Sequence, residues 1–253
     1  MAVAGRTCAG VSVRRKAIAL CAFIGSEDYL NLEQNDIKAL ISKFEEKHDS
    51  YGRYASFDYC YNYFHPSSGN DLLGDMEKSC LALGFYLASW GMFRGSSFIL
   101  EKSAKNFENL IVYIASQDSC AWSIDVDSYT SENIEFLLGQ YNEIRTILVP
   151  QNTSHLTLVT KIMLGVFGSV PAYDRFFKKT FGSVFKGECG FSSLNTKSLY
   201  CLSQFYQSNK LVIDQVSSNR ATVNFSSGVA TKLPYTKAKV VDMYGFTKAL
   251  TGT

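Results

Sequence analysis

Apolar residues recur along most of this chain at helical spacing. In NDIKALISKFEEKH, Ile37, Leu40, Ile41 and Phe44 fall at i, i+3, i+4 and i+7, which lines one side of an α-helix with side chains that must leave water. YASFDYCYNYFH carries an aromatic face that ends at Pro66. NDLLGDMEKSCLALGFYLASWGM is apolar for most of its length and predicts a core helix. FILEKSAKNFENLIVYIAS is amphipathic, with Leu100, Phe107, Ile111 and Ile114 near one stripe. After the polar DVDSYT, Thr130 and Glu132 suit the capped start of a helix, YTSENIEFLLGQYNEIRTILV, that runs to Pro150. The stretch from Thr160 to Gly182 predicts two further helices, KGECGFSS a loop, and SLYCLSQFYQSNKLVIDQV one more helix.

The period changes near the end of the chain. ATVNFSSGVATKLPY alternates about Ser226, Ser227 and Gly228, the signature of a small hairpin, and Thr236 can cap a last helix, KAKVVDMYGFTKAL. These elements predict an all-α fold, a single globular multi-helix domain of roughly nine or ten helices with at most one small C-terminal β-hairpin. Residues 1–26 read as an N-terminal extension or first helix and residues 27–253 as the single helical domain.

Composition narrows the function classes. With 46% hydrophobic and 19% charged residues, the 253-residue chain is ordinary globular material, neither disordered nor membrane-like. An aromatic share of 14% with only four prolines favours helices joined by bulky packing over a loop-rich fold. The net charge of +2 is too small to steer the whole molecule to nucleic acid, so any such contact must rest on a local patch. Seven cysteines without a C-x-x-C pair predict reduced thiols in a cytoplasmic protein. His48, His65 and His155 do not cluster with them, so neither a metal nor a cofactor is expected.

Arg6, Arg14, Arg15 and Lys16 precede the first acid, Glu27. That pattern fits either an organelle-targeting segment or a surface extension leading into a helix. The apolar run AIALCAFIG is far too short to span a bilayer.

Familiar catalytic motifs are missing: there is no G-x-S-x-G, H-E-x-x-H, phosphate loop or G-x-G-x-x-G. DVDSYTSENIEF matches a calcium loop only at Asp125 and Asp127, since Thr130 stands where glycine is required and Phe136 where glutamate is. In WGMFRGSSF, Arg94 beside Gly95, Ser96 and Ser97 could meet a phosphate, or could be a surface arginine at a helix break.

The most informative stretch is TKIMLGVFGSVPAYDRFFKKTFG. Leu158, Ile162 and Phe167 need burial, which places Lys161 on or beside a packed face, where an amine loses hydration and can become a nucleophile. Gly168 ends the helix, and Asp174 falls at the start of the next, where the helix dipole and free amides hold a carboxylate ionised. The same positions also suit a paired lysine and an N-cap with no chemistry. Arg175, Lys178, Lys179 and Lys186, mixed with Phe176, Phe177, Phe181 and Phe185, form the densest basic cluster and suit phosphate contacts or a solvated helix face.

A lysine-bearing helix, a short Gly/Pro hinge and an aromatic–Asp pair, as in TKIMLGVFGSVPAYD, resemble the Lys/Asp region of oxoguanine DNA glycosylase-like members of the helix-hairpin-helix glycosylase superfamily. FDYCYNYFH, CLALGFYLASWGMFRGSSF and VTKIMLGVFGSVPAYDRFF are also similar to an uncharacterised group of bacterial proteins. The glycosylase resemblance implies a DNA N-glycosylase/lyase in which Lys161 attacks the sugar C1′ and Asp174 supports the developing charge. Arg175, Lys178, Lys179, Lys186 and Arg94 would then contact the DNA backbone. The chain departs from that family in lacking the L-P-G-V-G hairpin and in a shorter Lys-to-Asp spacing. The alternative, from another class, is a non-catalytic helical interaction module acting through aromatic faces.

Overall fold

The computed structural model describes residues 34–46, 49–65, 72–95 and 97–252. The segment expected as an extension or first helix, with its arginines, lies outside them. Among the described residues, ten α-helices and one two-stranded antiparallel hairpin form the regular structure, and 65% is helical once the 3-10 and π turns are included. The fold is therefore all-α with a small hairpin, as the apolar spacing predicts.

The first three helices are α1 (Gln34–Glu45), α2 (Ala55–Phe64) and α3 (Met76–Ser89), and each buries the face its sequence marks. The next amphipathic segment is not one helix. Two 3-10 turns, Phe98–Glu101 and Ala104–Phe107, precede α4 (Glu108–Ala115). Lys102 is extended between the turns and Leu100 is half exposed, so the first member of the apolar stripe does not join the core. α5 (Ser131–Leu148) begins at Thr130, whose hydroxyl accepts the Asn133 amide hydrogen.

Beyond Pro150 come α6 (Leu156–Ile162), a π-helical turn (Met163–Phe167) and α7 (Arg175–Val184). The long helix expected from SLYCLSQFYQSNKLVIDQV is two, α8 (Thr196–Ser208) and α9 (Lys210–Asn219). They part at Asn209, whose side-chain amide donates to the Phe205 carbonyl and so competes with the backbone ladder. β1 (Ala221–Val223) pairs antiparallel with β2 (Ala230–Pro234), with an irregularity between the Ala221–Pro234 and Val223–Ala230 partners. Thr236 then caps α10 (Lys237–Thr251) through the Lys239 amide.

α10 is the hub of the packing, with α7 and α1 against it. Gly245 permits the α7 approach, because a Cβ there would lie 3.0 Å from the rings of both Phe177 and Phe181. The Thr180 hydroxyl donates to the Gly245 carbonyl at 2.7 Å and fixes the crossing. Phe177, Phe181, Phe191, Phe205 and Tyr244 fill the space around it as stacked and edge-on rings. Cys60, Cys80, Cys189 and Cys201 are free thiols, but Cys120 is disulfide-bonded, so the expectation of seven reduced cysteines fails there. Sequence spacing could not show this, because a disulfide depends on how closely two backbones approach in space. Among the described residues no helix is long and apolar enough to cross a membrane.

Candidate active site

Lys161 sits in the last turn of α6, one turn from an unusual piece of backbone. The π turn that follows disturbs the regular carbonyl ladder, and aromatic side chains take up carbonyls in and around it. The Tyr86 hydroxyl donates to the Lys161 carbonyl at 3.0 Å, the Trp122 indole to that of Val166 at 2.9 Å, and the Tyr129 hydroxyl to that of Ser169 at 2.7 Å. Gly165 leaves room for the first of these, since a Cβ there would stand 2.3 Å from the Tyr86 ring. Gly168 ends the turn in the left-handed region at φ 67°, packed against Thr236 and Tyr61.

The segment after Gly168 is pinned on two sides. The Tyr173 amide donates to the Thr160 hydroxyl at 2.9 Å, and the Thr157 hydroxyl donates to the Tyr173 carbonyl at 2.9 Å, tying it to α6. The Ala172 amide donates to Asp242 Oδ1 at 3.1 Å, tying it to α10. Asp174 then caps α7: its Oδ1 accepts from the Phe176 and Phe177 amides at 2.9 and 3.0 Å. Its Oδ2 faces Lys161 Nζ at 3.5 Å. The two side chains are 5% and 18% exposed, so the pair is largely withdrawn from water. Lys161 Nζ also lies 5.2 Å from the centre of the Trp90 ring, a cation–π distance.

The structure thus brings together the two residues that the sequence singled out as catalytic. It also places four charged or aromatic groups there that the sequence reading passed over. Lys239 and Asp242 form a second buried ion pair at 3.4 Å. Lys239 Nζ lies 4.4, 5.1 and 5.0 Å from the rings of Phe57, Phe44 and Trp90. Burial holds the Lys239 amine below the usual lysine range against the pull of Asp242 and Asp58, and burial pushes the Asp242 carboxyl up. A lysine and an aspartate at i, i+3 spacing are a visible mark in the sequence, but one that reads as an ordinary surface pair rather than a buried one. Trp90 and Tyr86, one supplying the shared ring and the other a hydroxyl, carried no such mark.

The predicted nucleic-acid residues divide between elements. Arg175, Lys178 and Lys179 share a face of α7 at i, i+3 and i+4 spacing, with Arg175 and Lys179 exposed and Lys178 half-buried. Lys186 is exposed just past the helix end. Among the described residues none of these four enters an ion pair, and the Arg175 guanidinium lies 4.6 Å from the centre of the Phe176 ring. Arg94 belongs elsewhere, in the turn after α3, with its guanidinium folded over Gly91.

A shallow groove of about 280 Å³ is lined by Lys43, Phe44, Glu46, Tyr54, Phe246, Thr247, Leu250 and Thr251. Lys161 is not among its walls. Among the described residues no cluster of His, Cys, Asp and Glu could hold a metal ion. Asp125 and Asp127, the two calcium-loop matches, both meet the start of α10, Asp125 at its backbone and Asp127 at a side chain. Asp125 accepts the Lys237 and Ala238 amides at 2.6 and 2.7 Å, and Asp127 pairs with Lys237 at 2.8 Å. No protein-family model, curated protein or solved structure matches this chain.

Proposed function

We propose that this protein acts on nucleic acid, as an N-glycosylase/lyase that uses the Lys161 amine with Asp174 beside it. The observation that carries this reading is the juxtaposition itself: an almost fully buried lysine 3.5 Å from a carboxylate whose other oxygen is fixed by two backbone amides. Such a carboxylate cannot turn away, so its charge stays aimed at the amine and at any cation forming next to it. In the reaction the Lys161 nitrogen bonds to the sugar C1′ while the C1′–N bond to the base breaks. The base leaves with that electron pair and takes up a proton. Opening of the sugar ring gives an imine between Lys161 and C1′. The exposed cations on α7 directly follow Asp174 and would hold the phosphates on either side.

Borohydride trapping tests this directly, because reduction fixes an imine that only an amine can form. Protein mixed with DNA carrying a modified or abasic site should give a covalent complex, and Lys161→Gln should abolish it while leaving binding intact. Asp174→Asn should keep the fold and slow base release, since asparagine still caps a helix but carries no charge. Trapping that persists in Lys161→Gln would withdraw the assignment.

One observation favours the second reading, a non-catalytic helical interaction module. Lys161 does not open into the described groove, and Phe85, Leu81 and Phe225 are exposed apolar side chains suited to a partner. On that reading both variants would shift thermal stability and change no activity.

A further inference from the structure

The packing of α10 does not by itself demand a lysine and an aspartate at positions 239 and 242. Replacing a buried ion pair by apolar side chains is often neutral or stabilising, so retaining one calls for another reason. Geometry supplies it. Lys161 Nζ and Lys239 Nζ lie 5.2 and 5.0 Å from the centre of the same Trp90 ring. Asp242 holds Lys239 through Oδ2 and, through Oδ1, the Ala172 amide two residues before Asp174. α10 therefore carries both a second ammonium near Lys161 and the tether of the segment that presents Asp174.

The charged groups around this point come from several elements. Asp174 faces Lys161 from the start of α7, and Lys239 and Asp242 approach from α10. Asp58 of α2 acts on Lys239 while accepting from the Tyr235 hydroxyl, and Tyr86 of α3 holds the Lys161 carbonyl. Lys161 in turn disfavours the charged form of Lys239 and favours that of Asp242.

We propose that Lys239 and Asp242 are positioning residues for Lys161 that set how readily its amine reacts, Lys239 by repelling a second ammonium beside the shared indole and Asp242 by favouring one. The inference rests on the reading of Lys161 as the reacting amine, and it assigns that amine's control to α10.

Opposite signs provide the test. Reductive methylation with formaldehyde and cyanoborohydride at pH 7, followed by peptide mass spectrometry, reads the reactivity of Lys161 without DNA. Lys239→Gln should slow its labelling by about threefold or more, because a neighbouring positive charge has been removed and Asp242 is freed to act on Lys161. Asp242→Asn should speed labelling by a similar factor while keeping an acceptor for the Ala172 amide. Lys239→Arg, which conserves charge, should label like the unmodified protein. If Lys239→Gln does not fold, the signed expectation for Asp242→Asn stands alone. Equal labelling in all variants, shifts of the same sign, or a Lys161 that takes no label would each overturn the inference. Opposite shifts without DNA trapping would keep the inference and remove the glycosylase reading, whereas trapping with flat labelling would do the reverse.

Discussion

An aspartate just ahead of a helix satisfies free amides whatever else it does, which is why Asp174 could be placed from sequence alone. The structure confirms that cap, and the proximity of Lys161 follows from the short hinge between them. Lys239 and Asp242 were hidden for a related reason: at i, i+3 spacing they read as an ordinary surface pair, and only the packing of Phe44, Phe57 and Trp90 over the amine shows that they are buried. Asp125 was hidden in the same way, since its partners lie over a hundred residues away at the start of α10. Burial pushes its carboxyl up to about 6, against three backbone amides that pull it down. A folded-state value above the unfolded one means that the folded protein holds the proton more tightly. This contribution to stability is thus fully present below about pH 4, the unfolded carboxylate range, and is lost as pH rises through about 6. Thermal melts of the unmodified protein and Asp125→Asn should show a stability difference that changes across pH 4 to 6 and is flat above 7. A difference that does not vary with pH in that window would show that the amide bonds outweigh burial.

Elements were legible where one face of a helix dominates and illegible where side chains intervene in the backbone. α1, α2 and α5 follow directly from apolar spacing, whereas the break at Asn209 depends on a side-chain bond that no period reveals. The π turn after Lys161 is the clearest case. MLGVF reads as plain helix, yet Tyr86, Trp122 and Tyr129 each bond a carbonyl in or beside that segment. Part of the high aromatic content thus serves to hold the backbone next to the candidate site rather than to fill core. Two glycines separate these roles. Gly165→Ala would drive a Cβ into the Tyr86 ring and should destabilise the fold by about 1–3 kcal/mol, the usual cost of overpacking a tight core. Gly139 is exposed within α5 with nothing within 4 Å of a Cβ, so Gly139→Ala should stabilise by about 0.5–1 kcal/mol. Denaturant unfolding of both variants checks the pair, and a neutral Gly165→Ala would mean that Tyr86 can yield without loss.

At the scale of the whole molecule, charge gives little direction, and what matters is where it is placed. A net charge of +2 on 253 residues cannot draw the protein to nucleic acid, but one face of α7 gathers cations that no described acid neutralises. The helix is split cleanly: Phe177, Thr180 and Phe181 turn into the core against α10, while Arg175 and Lys179 stand in water. Because Asp174 caps the same helix, any phosphate bound along that face would lie within a few turns of Lys161. Only this geometry separates a nucleic-acid surface from a merely soluble one, and salt dependence reads it. Each lysine that displaces counterions from a phosphate contributes about one unit to the slope of log affinity against log salt. The Lys178→Ala, Lys179→Ala double variant should therefore bind duplex DNA more weakly for every sequence tested, with a slope lower by about two units if both lysines touch phosphate. Neither change reaches the core, so the fold should survive and thermal melts should stay close to those of the unmodified protein. An unchanged slope would make α7 a solvated face and place any nucleic-acid contact elsewhere. Binding that is undetectable even at low salt would remove the nucleic-acid reading altogether, leaving the buried lysine pair to be explained by another carbonyl-bearing substrate.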